Sequence, residues 1–238
     1  FTIGKGEHDT GGDVYVVAGH SEPLTGGAIS VATGEGTATS SGGIVLRTAN
    51  AGVSGVSGSI SFMTGTASKG SSGSITMSTG AATHGKGGDM IVTAGVNWEQ
   101  GNTFDGGSIL MTAGESTAES TSGGKVAITA GAGSNSDDGH GGGIEITGGR
   151  GQDITGGAIA WATGYGTSST SGAVTMQTVN AGTSGVSGSL TFTSGTASRG
   201  SSGSFTFGTG DATHGKGGDM RFTIGKGEHD TGGDVYVV

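Results

Sequence analysis

Cysteine is absent and proline occurs once, at Pro23. The first absence excludes a disulfide framework and a thiolate metal site, and leaves the compartment open. The second excludes collagen, which needs abundant proline with glycine at every third position. No apolar run approaches eighteen residues, so no membrane span is predicted. Only 12% of residues are charged, the net charge is −9, and basic clusters are missing. That balance argues against a nucleic-acid partner. There is also no N-x-Ser/Thr glycosylation acceptor.

What the chain has is glycine, 57 of 238 residues, and repetition. A Gly-Gly or Ser-Gly pair precedes each short apolar stretch, beginning at 11, 26, 41, 57, 72, 87, 106, 123, 141, 156, 171, 187, 202, 217 and 232. Most steps are 15 residues, one in each half is 16, and the coils over 87–140 run 19, 17 and 18. A second register matches 11–90 to 141–220 at an offset of 130, with 11–86 and 141–216 as internal duplicates. A third repeats FTIGKGEHDTGGDVYVV at 1–17 and 222–238. The expectation is one continuous solenoid over 1–238: a 221-residue tandem period plus 17 residues of the next, cut from something longer.

The third and fifth residues after the start of every pair are apolar, from Val14 and Val16 through Phe205 and Phe207 to Val235 and Val237. The residue between them varies. This period-two alternation marks a strand with one sheltered face, and helical spacing is absent. Small residues follow each strand. Ala51, Ala67, Ala82, Ala181, Ala197, Ala212, Gly36 and Gly166, ten past the pair, read as a thin second wall. Thr33, Thr48, Thr64, Thr79, Thr163, Thr178 and Thr209, seven past it, suggest a hydroxyl ladder along one corner. The predicted fold is therefore all-β: an uncapped parallel β-solenoid with coils of about 15 residues and two short strands per coil. The rival is an antiparallel meander with one strand per repeat and long glycine-rich turns.

Little in the chain points to chemistry. No nucleophile constellation stands out among so many Ser and Thr, and the glycine-rich segments lack the spacing of a phosphate loop. No catalytic, cofactor-binding or metal residue is predicted, and the chain is read as non-enzymatic. Glu7, His8, Asp9 and Asp13, their copies Glu228, His229, Asp230 and Asp234, and the Asp137/Asp138 pair fall short of the oxygens calcium needs, and read as solvated loop charge. His84 and His214 read as corner residues. The irregular coils carry Trp98 and Phe104 off the apolar pattern, and Asp137, Asp138 and His140. These five are the candidate lateral contact, because loops carry recognition and exposed aromatics mark interfaces.

GGAISVATGEGTATSSG at 26–42 and TGTASKGSSGSITMSTG at 64–80 resemble Gly/Ser/Thr-rich tandem repeats of giant extracellular proteins of algae and diatoms. The resemblance spans the chain and implies an extracellular or cell-surface fibre, such as a flagellar hair or wall filament, that associates with identical chains. The expected function is a structural repeat unit of a long filament. The alternatives are an adhesin or carbohydrate-binding stalk and an ice-binding solenoid, although Tyr15, Glu145, Arg221 and Tyr236 interrupt any flat threonine array.

Overall fold

The computed structural model describes residues 3–4, 10–98, 104–134, 139–152, 154–228 and 232–237. Among these there is no helix and no β-strand. The parallel solenoid with two short strands per coil is thus overturned. The chain forms two units, Phe1–Val126 and Ala127–Val238, built on the same local plan.

That plan is an arm, a bend and a neck. Arms run straight, and bends or turns fall in one cluster per regular repeat: 37–39, 53–55, 68–70 and 83–85 in the first unit, and 167–169, 183–184, 198–200 and 213–215 in the second. A closed 15-residue coil needs two reversals, whereas each repeat here makes one. Two of the bends use a left-handed glycine, Gly70 at φ 110° and its duplicate Gly200 at φ 111°. A side chain at either would be strained.

At the neck the chain returns to itself. In the first unit the amides of Gly27, Gly42, Gly107 and Gly124 donate to the carbonyls of Gly19, Gly34, Gly95 and Gly114 at 2.9–3.2 Å. In the second, Gly142, Gly157, Gly172 and Gly233 donate to Gly131, Gly149, Gly164 and Gly225 at 2.8–3.4 Å. The donor is always the second residue of the small-residue pair, which is glycine in all fifteen pairs.

Its bareness has a steric cause. A Cβ on Gly27, Gly42, Gly58, Gly73, Gly88, Gly107 or Gly124 would stand 3.2–3.5 Å from the side chain of Ala18, Thr33, Thr48, Thr64, Thr79, Ala94 or Ala113. The second unit repeats this between Gly172 and Thr163, Gly203 and Ser194, and Gly218 and Thr209, at 3.2–3.5 Å. The threonines make this contact through their β-carbons and methyl groups, so they are neck wedges and not a hydroxyl ladder. The thin wall is also corrected. Gly36 and Gly166 face the carbonyls of Ser40 and Thr170 inside their own bends, and Ala51 and Ala181 lie nearest Gly55 and Gly185 of theirs.

The neck also explains why no ladder forms. The second glycine, the two apolar residues and the neck residue share one parity, as in Gly73, Ile75, Met77 and Thr79. All four lie on one face of an extended arm. Arms therefore meet through side chains, and this is possible at close range only where glycine has none. Beyond the neck, side-chain bulk favours the face-to-face spacing of about 10 Å over the 4.8 Å of a hydrogen-bonded ladder. Contact order reverses between neighbours: Ser194 meets Gly203 while Phe192 stacks on Phe205, centroids 6.2 Å apart. Successive arms run in opposed directions at this point, as in the rival meander, but without its sheet.

No described residue is buried. The half-buried ones are mainly neck residues, among them Ala18, Thr48, Ala94, Ala113 and Ala130. All thirty apolar pair residues remain between 41% and 91% exposed. Even so, Val45, Ile91 and Leu110 are more exposed than the apolar residues flanking them, so the alternation of faces is present. The accessible surface is 23833 Å² for 22.6 kDa. A packed monomer of that mass exposes roughly 9,500 Å².

Phe205 also meets Phe207 edge-on, centroids 4.5 Å apart, so it is the hinge of a three-ring cluster. Phe205→Ala is expected to abolish the ring-current shifts of Phe192 and Phe207 in proton NMR, and Thr206→Ala to leave them in place. Equal loss from both substitutions would refute the face assignment.

Candidate functional site

The coils over 87–140 keep the neck and lengthen only the loop. Gly95 and Gly107 close eleven intervening residues, Gly114 and Gly124 nine, and Gly131 and Gly142 ten, each through an amide-to-carbonyl bond of 2.9 Å. Regular necks such as Gly19–Gly27 close seven with the same 2.9 Å bond. The added residues therefore extend beyond an unchanged base.

The loop 96–106 carries Trp98 and Phe104, 87% and 73% exposed. The Asn97 side-chain amide donates to the Phe104 carbonyl at 2.8 Å, tying the two limbs together beside Trp98. The structure thus brings these two aromatics onto one braced loop. In the loop 115–123, the Thr121 hydroxyl donates to the Ala118 carbonyl at 2.8 Å and lies 2.5 Å from the Ser116 hydroxyl. Its tip holds Ser120 in the left-handed region at φ 58°. The loop 132–141 is pinched at its base, where a Cβ on Gly133 would collide with the His140 backbone. His140 is exposed and belongs to the second unit, whereas Trp98 and Phe104 belong to the first. Asp137 and Asp138 lie outside the described residues.

Polar pairs recur with the repeats. Lys86 bonds Asp89 and its duplicate Lys216 bonds Asp219, both at 2.6 Å and largely exposed. Such surface pairs contribute little, with a typical range of about 0–1 kcal/mol before salt screening. The Tyr15 hydroxyl donates to Asp13 at 3.1 Å and that of Tyr236 to Asp234 at 3.2 Å, each two residues along the same arm face. Glu7, His8, Asp9, His229 and Asp230 lie outside the described residues. Among the described residues no three His, Cys, Asp or Glu side chains converge as a metal site would require, and no helix is long and apolar enough to cross a membrane.

One feature escaped the sequence reading. An open cleft of about 450 Å³ lies between successive arms, lined by Phe62, Ile75, Thr76 and Met77. Its counterpart 130 residues later is Phe192, Phe205, Thr206 and Phe207, where the rings contact one another. The signal was present in the change from SITMSTG to SFTFGTG between the duplicates.

Comparison with protein-family models, curated proteins and solved structures finds no match for the chain.

The neck geometry makes a sharp test. Gly107→Ala would place a Cβ 3.2 Å from the Gly95 nitrogen and 3.3 Å from the Ala94 Cβ, whereas a Cβ on Gly95 meets nothing within 4 Å. Losing the closing bond, worth about 1 kcal/mol, is expected to speed exchange of the residue-107 amide about fivefold. Gly95→Ala should leave that exchange rate unchanged. A protected amide in Gly107→Ala would show that the bare glycine is not what the neck requires.

Proposed function

We propose that the chain is a structural repeat segment of a long extracellular filament, with identical chains as its partners and a mechanical role. The observation that carries this reading is the row of apolar pairs, repeated at every arm and left exposed. Thirty side chains held in strict alternation and open to water are an interaction surface far larger than the patches single proteins expose. A row with a constant step is complementary to another row with the same step, so a second copy fits it without new geometry. Glycine, serine and alanine in the bends keep the segments slim enough for close lateral packing. The extracellular setting is supported by the resemblance to algal and diatom repeat proteins.

Copies that each carry a net charge of −9 repel at long range, and salt shortens that range to about 8 Å at physiological ionic strength. The 238-residue chain is expected to form elongated assemblies in sedimentation velocity and negative-stain microscopy, more extensively at 0.5 M than at 0.05 M salt (trial concentrations on the order suggested by screening lengths). A monodisperse monomer across all protein and salt concentrations would overturn the reading.

A further inference from the structure

The duplicated halves differ most informatively at the cleft between arms. In the second half, Phe192, Phe205 and Phe207 fill the space between neighbouring arms with stacked and edge-on rings. In the first half, Phe62 is retained, but isoleucine and methionine stand at 75 and 77, and the cleft of about 450 Å³ stays open. The missing volume is that of aromatic rings. The lining is apolar except for Thr76, whose hydroxyl offers one hydrogen-bond acceptor.

The same chain presents a group of matching chemistry. Trp98 is 87% exposed, off the apolar alternation, and held beside the Asn97–Phe104 brace. Its exposure shows that its own chain's cleft does not hold it. An indole needs an apolar slot and one acceptor for its N–H, and Phe62, Ile75, Met77 and Thr76 supply both. We propose that the cleft between Phe62 and Ile75/Met77 is a socket for Trp98 of a second copy. This rests on the filament reading and names the contact within it.

The geometry accounts for open growth. Plug and socket occupy different positions on the chain, so the contact is heterologous, and such contacts propagate when rotation does not close a ring. A buried indole contributes about 150–250 Å², and a stable interface needs about 800 Å² per partner. The flanking apolar pairs can supply the remainder, since the chain exposes 23833 Å², against roughly 9,500 Å² for a packed protein of this mass. Because the brace holds the loop before contact, little ordering cost falls on binding.

The test uses the full 238-residue chain with Trp161→Phe, which leaves Trp98 as the sole tryptophan. Its emission is expected to move to shorter wavelength as assembly proceeds. Ile75→Phe with Met77→Phe copies the rings of the second half into the socket. It is expected to weaken association at least tenfold and to hold Trp98 emission at the solvent-exposed position. Trp98→Ala, at an exposed loop position, should weaken association equally. Undiminished assembly of the filled-socket variant, with emission shifting as before, would overturn the socket while the filament reading stands. A parent chain that stays monomeric at every concentration would overturn both.

Discussion

The constraint on which the structure depends is the approach of one β-carbon to one bare glycine at each neck. Ala18 against Gly27, Thr79 against Gly88 and Thr209 against Gly218 repeat it along the chain. Only a residue without a Cβ lets the returning backbone come near enough, and a side chain as small as alanine would already press into its neighbour. Because the wedge enters from the apolar face of the arm, it turns that face toward the neighbouring arm. Backbone edges then look outward, and side chains set the spacing. The missing strands, the single bend per repeat and the open cleft all follow from this orientation.

A neck closed by its own contacts tolerates loops of different length. Passing from seven enclosed residues at Gly19–Gly27 to eleven at Gly95–Gly107 leaves the closing bond at 2.9 Å. Loop entropy grows only with the logarithm of length, so this change costs about 0.4 kcal/mol. The bond itself is worth about 1 kcal/mol, and the wedge contact adds to it. Insertions can therefore accumulate in the loops without disturbing the arms. The irregular coils carry chemistry, Trp98 and Phe104 above all, on a base no different from that of a plain repeat.

The sequence reading recovered the repeat, its duplication and the two faces of each arm, because these depend on residue spacing alone. It failed on direction. Fifteen residues fit both a closed coil and an arm with its bend, and composition does not count reversals. The small residues at Gly36, Ala51 and Gly166 looked like a second wall because a wall and a tight bend select the same side chains. A decisive pattern was nonetheless available. Gly73, Ile75, Met77 and Thr79 share one parity, which predicts that the threonine points to the apolar side, where a hydroxyl ladder has no reason to be. The cleft was hidden for a different reason. Isoleucine and methionine satisfy an apolar pattern as well as phenylalanine does, so the vacancy appears only when the duplicates are compared as volumes.

Magnitudes explain why such a chain would depend on its own copies. Ordering fifteen residues costs on the order of 20 kcal/mol, and a neck returns only a few. An apolar pair would contribute about 3–6 kcal/mol fully covered, but these pairs are more than half exposed, with few exceptions such as Met176 at 41%. Covering the remainder adds about 1.5–3 kcal/mol per repeat. Summed over fourteen repeats, that exceeds the roughly 4–15 kcal/mol cost of bringing two molecules together. A shorter chain would not cross that threshold by much. Many equal, modest contacts in register are therefore a better route to assembly than one strong site, and a gene that multiplies a fifteen-residue unit makes them in the number required.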